Sequence, residues 1–236
     1  ALGRLAPEKD VRLIRKTMGQ VRLRLEAAKP EKRDRHRPQT FAPAGQSTQL
    51  IVGADGAPDT EILDRSASLY GGYGLRRVYY SAFSPIPDSS SILPLSKPPL
   101  MREHRLYQAD WLMRFYGFSA PEIGEGASDG MLDLGVDPKL AWALKRRDIF
   151  PTDVNLAARE DLLRVPGLGV KAVDRILSVR RYRTLRLEDV ARLTRSIDKV
   201  RPWIVALDWT PGGLTDAEDL RARLAPQRAP EQLSLF

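Results

Sequence analysis

Apolar residues at Val11, Ile14, Met18, Val21 and Leu25 recur at steps of three and four. That spacing is one face of an amphipathic helix, predicted from Glu8 to Lys29 and ended by Pro30. The run EKRDRHRPQ after it has no period and predicts a solvated loop. TQLIVGADG is a short β-branched run closed by Gly53 and Gly56, a buried strand and its turn. TEILDRSASLYGGYG returns to helical spacing through Ile62, Leu63, Ala67 and Tyr70, and LRRVYYSAF restores strand propensity through Val78, Tyr79, Tyr80 and Phe83. Strand, helix and strand at this length predict a βαβ unit with parallel strands.

A loop rich in serine and proline runs from Ser84 to Pro99. After it, LMREHRLYQADWLMRFYGF sets Leu106, Ala109, Leu112 and either Phe115 or Tyr116 on one helical face, with Gly117 as the stop. GEGASDG reads as a turn or the start of a domain boundary, and from Asp137 onward the pattern is helical. There Asn155 is the expected cap of a helix with a buried stripe of Ala158, Leu162 and Val165, stopped by Pro166. Gly167 and Gly169 bracket Leu168, so the backbone can turn left-handed while the leucine enters the core. The next helix starts at once and packs through Ala172 with Ile176 and Val173 with Leu177. LRLEDVARL and SIDKVRPWI repeat the helical pair, but Thr194, Arg195 and Ser196 replace its glycines, which suits a scaffold. Thr215 and Glu218 have capping-box spacing ahead of a short helix ending near Leu224. The polar APQRAPE then leads to QLSLF.

Composition narrows the chemistry. The chain has 236 residues, 42% of them hydrophobic, enough for one large domain or two modest ones; two is the reading adopted. Lysine and arginine outnumber aspartate and glutamate by 38 to 30, a formal charge of +8, which favours a polyanionic partner. The absence of cysteine excludes disulfides, thiolate zinc and cysteine-held iron–sulfur clusters on this chain. His36 and His104 are too scattered for a metal site. No apolar run approaches the ~20 residues of a membrane span, and no secretory signal opens the chain, so a cytoplasmic protein without membrane contact is expected. Opening on Ala1 rather than methionine is expected of a piece of a longer protein.

The glycine turn carries the clearest chemistry. It leaves the amides of Gly167, Gly169, Val170 and Lys171, around Leu168, facing outward at a helix amino terminus, where the macrodipole also favours negative charge. With Lys171, Arg175, Arg180 and Arg181 alongside, the natural anion is a nucleic-acid phosphate. A purely structural αα-hairpin, or one that binds protein, is the competing reading. The carboxyl ends of the two strands carry few acid–base groups; Asp55 there is expected to cap a backbone turn. No catalytic residue is identified.

These residues carry three resemblances. Asn155 to Leu177 resembles the helix-hairpin-helix motif, a non-sequence-specific DNA-binding element. QLSLF resembles the peptide by which bacterial repair and replication proteins dock on the DNA sliding clamp. It implies clamp contacts by Gln232, Leu233, Leu235 and Phe236, with Gln232 at the pocket rim and Leu235 and Phe236 in the hydrophobic cleft. Third, FAPAGQSTQLIVGADG, YGLRRVYYSAFSPIP, REHRLYQADWLMRFYGF, DPKLAWALKRRDIFPTDVN and the hairpin, in that order, resemble the carboxyl-terminal part of a family of radical SAM proteins of DNA modification or repair.

That family resemblance implies an α/β plus all-α chain: the second half of a partial radical SAM β/α barrel over residues 1–125, a tandem helix-hairpin-helix domain over 126–208 and a flexible clamp-binding tail over 209–236. It implies S-adenosylmethionine and a 4Fe–4S cluster in a full-length member, held by a three-cysteine loop that this chain lacks, and a uracil-DNA glycosylase family protein as partner. Loops with Gly45, Gln46, Ser47, Gln49, Gly53 and Ser81 would then touch the cofactor, and the location would be the bacterial nucleoid. The alternative is a non-catalytic repair adaptor that tethers partners to DNA and the clamp. Whether the chain is part of an enzyme stays open on sequence alone.

Overall fold

The computed structural model describes residues 2–28, 41–85 and 93–225. The chain falls into two compact units, Ala1–Asp110 and Trp111–Phe236. Gln232, Leu233, Leu235, Phe236, His36 and the EKRDRHRPQ segment lie outside the described residues.

In the first unit a one-turn helix α1 (Leu2–Leu5) precedes α2 (Val11–Ala27), which starts at Asp10, whose carboxylate accepts the Arg12 amide at 2.7 Å. The predicted apolar stripe is only half covered. Met18, Val21 and Leu25 are partly buried, whereas Val11 and Ile14 remain exposed. The covered end is held by polar contacts: Arg22 donates to the Gly71 and Gly72 carbonyls at 3.2 and 2.5 Å, and the Gln46 amide donates to the Met18 carbonyl at 3.2 Å.

The expected βαβ unit is present as β1 (Ser47–Val52), α3 (Asp59–Tyr73) and β2 (Arg77–Ala82), with the strands parallel from Ser47 opposite Arg77 to Val52 opposite Ala82. Gly74, at φ 63°, ends α3 in the left-handed conformation that glycine adopts without a Cβ clash. One sheet face, with Val52, Val78 and Tyr80, is buried; Gln49, Ile51 and Tyr79 on the other are exposed. Parallel sheets are normally covered on both faces, so this pair is half dressed. The covered face meets α3 and α4 (Leu100–Phe115), which bring polar groups into the interior. The Tyr80 hydroxyl donates to Asp110 at 3.2 Å and lies 2.9 Å from the Ser66 hydroxyl, and the Tyr70 hydroxyl donates to the same carboxylate. Arg102 bonds the fully buried Asp59 at 2.7 Å and the Ala57 carbonyl at 2.8 Å.

The outer edge of β2 is sealed by side chains. Alternate amides of Val78, Tyr80 and Ala82 donate to the Tyr70 hydroxyl, the Tyr107 hydroxyl and the Glu103 carboxylate at 3.0, 3.0 and 2.7 Å. These groups stand where a further strand would pair, so β2 is a true sheet edge and is blunted as one.

The second unit opens within α4, at Trp111, and takes in residues 111–125, which the sequence reading groups with the first half. These residues pack on the helices that come after them. After α5 (Ala120–Gly124), started by a Ser119–Glu122 capping box, Gly126 lies so close to α6 (Pro138–Lys145) that a Cβ there would sit 2.7 Å from the Trp142 nitrogen. GEGASDG is therefore a turn inside this unit. The remaining helices are α7 (Arg159–Arg164), α8 (Val170–Val179), α9 (Leu187–Leu193), α10 (Ile197–Val200) and α11 (Leu220–Leu224), with a two-residue parallel pair β3 (Thr152–Asp153) and β4 (Ile204–Val205). Aromatic rings run through the core edge to face, from Phe118 to Trp142, Phe150 and Trp203, with centroids 5.2, 6.3 and 4.9 Å apart. Thr215 does not cap the last helix; its hydroxyl is buried and donates to the Pro202 carbonyl at 2.6 Å.

The chain is thus mixed α/β, and among the described residues its sheets are two-stranded and none closes into a barrel. No helix among the described residues is long and apolar enough to cross a membrane.

The packing at Gly126 sets a stability test. Gly126→Ala should destabilise the second unit by about 1–3 kcal/mol, the usual cost of overpacking, whereas Gly213→Ala, where a Cβ meets nothing within 4 Å, should stay within about 0.5 kcal/mol of the parent. Urea unfolding of the two variants checks this.

Candidate nucleic-acid interface

The hairpin predicted around Leu168 is formed by α7, α8 and the turn between them. Leu168 is buried, 2% exposed, as the alternation of glycine and leucine required. Only Gly167 is left-handed, at φ 84°; Gly169 has φ −94° and ordinary extended geometry. Gly167 is constrained twice over. A Cβ there would lie 2.8 Å from Val200 and 3.1 Å from the side chain of Lys199, so α10 of the second helical pair packs directly on the turn.

The turn's orientation comes from outside the hairpin. Lys139, in the first turn of α6, is buried, and its ammonium donates to the Leu168 carbonyl at 2.7 Å while lying 4.8 Å from the Tyr116 ring centroid. In a trans peptide the carbonyl and the next N–H point in opposite directions. Holding the Leu168 carbonyl inward therefore turns the Gly169 N–H outward. The Val170 amide is engaged by the Tyr116 hydroxyl oxygen. Among the described residues, the amides of Gly167, Gly169 and Lys171 donate to no protein acceptor. Three main-chain donors thus gather at the positive end of a ten-residue helix, an arrangement suited to an oxyanion.

The cations divide. Lys171, Arg175 and Arg181 are exposed, and the first two are four residues apart on α8, hence on one face. Arg180 is turned inward and donates to the Val154 and Ala157 carbonyls at 3.2 and 2.7 Å, a structural task rather than the phosphate contact expected of it. Asn155 likewise does not cap α7. Its amide group bonds the Leu185 backbone reciprocally, at 3.2 Å to the carbonyl and 2.8 Å from the N–H, tying the first hairpin to the start of the second.

The residues expected to touch a cofactor do not gather. Gly45, Gln46 and Ser47 stand at the amino end of β1 and Gly53 at its carboxyl end, about 20 Å of strand apart at ~3.3 Å per residue. Gln46 is committed to the Met18 and Tyr73 carbonyls, the latter at 2.6 Å, and Gly53 packs on Pro98. Gln49 and Ser81 do meet, at 2.6 Å on the open sheet face. Asp55 accepts the Ala57 amide at 3.2 Å, a turn cap as expected.

Burial drives the Lys139 amine down to about 7 from its ordinary 10.5; the nearby Asp137 opposes that shift and Arg164 adds to it. Burial also raises the Tyr116 phenol, so it keeps its proton. No family model, curated protein or solved structure matches this chain.

The lysine predicts a pH dependence. Between about 7 and 10.5 the unfolded chain holds a proton on Lys139 that the folded one has released, so stability rises with pH across that window. The gain is on the order of a few kcal/mol. Lys139→Met should flatten the rise, measured as the urea midpoint at intervals from pH 7 to 10.

Proposed function

We propose that this chain binds DNA phosphates without sequence preference through the turn between α7 and α8. The reading rests on one observation: the amides of Gly167, Gly169 and Lys171, which donate to no acceptor among the described residues, stand beside the exposed cations Lys171, Arg175 and Arg181. An anion at a helix amino terminus gains from hydrogen bonds and dipole together, and nucleic acid offers such anions at regular spacing. Lys199, whose backbone flanks Gly167, adds a further exposed cation beside the turn.

The larger reading goes with it: the carboxyl-terminal portion of a radical SAM enzyme of DNA modification or repair, in which the βαβ unit closes one side of a partial barrel. The sealed edge of β2 suits a terminal strand, and the uncovered sheet face suits a larger assembly. With no cysteine here, ligands for a 4Fe–4S cluster would come from sequence outside this chain. The QLSLF tail would bring the enzyme to the sliding clamp, and a uracil-DNA glycosylase family protein would be its partner at the nucleoid.

Fluorescence anisotropy with labelled duplexes tests the DNA reading. Affinity should fall linearly in log–log against salt, Lys171→Ala should flatten the slope by about one, and Gly169→Leu should abolish binding with helicity retained. Equal affinity of Gly169→Leu and the parent would remove the turn as the DNA site. For the tail, deleting residues 232–236 should eliminate binding to a bacterial sliding clamp in surface plasmon resonance.

A further inference from the structure

Tryptophan is seldom left in water, yet Trp111 on α4 is 53% exposed and Phe115, one turn on, 43%. The two rings lie 4.5 Å apart at 48°, and the Arg114 guanidinium sits 4.8 Å from the Phe115 centroid. The other tryptophans are spent on structure. Trp142 and Trp203 are buried in the core, and the Trp209 indole donates to the Arg201 carbonyl at 2.9 Å. The same helix end leads into the phosphate site, since Tyr116, the next residue, bonds the Val170 amide in the turn.

We infer that Trp111 and Phe115 form a stacking platform for an unpaired base of a nucleic-acid strand whose phosphates lie at the Gly167–Lys171 turn. The inference rests on the phosphate reading above and gives it a substrate class: DNA with an unpaired stretch rather than intact duplex. Three features favour this occupant over a protein. The helix that carries the platform adjoins the candidate phosphate site through Tyr116, within the second unit. The exposed charge at the turn it adjoins is cationic, from Lys171, Arg175 and Arg181. An aromatic face accepts any base, which fits a turn that reads backbone alone.

The experiment uses the full chain with a fluorescein-labelled single strand and with the same strand annealed to its complement. The parent should prefer the single strand, with quenching of tryptophan emission on binding. Trp111→Ala should weaken single-strand binding about tenfold, the scale of one lost stacking contact, and leave duplex affinity within about twofold. Trp111→Phe should keep most of the affinity but lose the quenching. Equal loss on both substrates, or none on the single strand, overturns the inference; so does a dimer in the parent that Trp111→Ala converts to monomer, which would make the pair a self-association face. Duplex binding that depends on Lys171 without a single-strand advantage sinks the platform alone. A parent that binds neither DNA sinks the phosphate reading and the platform with it.

Discussion

One buried hydrogen bond organises the candidate interface: the Lys139 ammonium against the Leu168 carbonyl. Taking a lysine out of water costs several kcal/mol unless its donors are satisfied. Here a carbonyl and the Tyr116 ring face supply that satisfaction, and among the described residues no carboxylate forms an ion pair with the ammonium. The amine keeps that donation when it gives up its proton, so the bond holds on either side of its pKa, and the carbonyl's inward direction fixes the outward direction of the Gly169 amide.

The turn itself was legible in the sequence because its signal is local. Two glycines around a leucine, between apolar helical stripes, state a tight bend with a buried side chain, and Leu168 is buried accordingly. What sequence could not disclose is what the turn rests on. Lys139 lies 29 residues before Leu168, and no periodic pattern pairs a lysine in one helix with a carbonyl in another. Tyr116 was one of two candidates for a core position, and its second role, bonding the Val170 amide, is likewise set by tertiary contact. Asn155 shows the opposite failure. It has the right type and place for a cap, but two backbone groups of Leu185 compete for its amide and win.

The βαβ unit was legible for the same reason as the turn, since alternating and helical periods change at its boundaries. The treatment of its edge was not. Tyr70 belongs to the apolar spacing of α3, Tyr107 and Glu103 lie outside the stripe of α4, and only the packed sheet reveals that they stand in line with alternate amides of β2. The six residues expected at a cofactor show what loop type leaves out, which is placement: β1 sets Gly45, Gln46 and Ser47 at one end and Gly53 at the other.

Net charge is a similarly blunt guide until each cation is placed. Arg102 is consumed by buried Asp59, Arg164 by Glu122 at 2.8 Å, Arg180 by two carbonyls, and Arg147 by the carbonyls of Thr215 and Ala217 at 3.2 and 3.1 Å. These guanidiniums, chosen for their forked donors, hold each unit together and contribute little to attraction at a distance, because their fields are spent on fixed partners. The charge available to a polyanion is what remains, and in the second unit that includes Lys171, Arg175 and Arg181, exposed around one turn. A chain with the same total charge but these three residues moved to the far side would have an unchanged composition and no place to hold a phosphate.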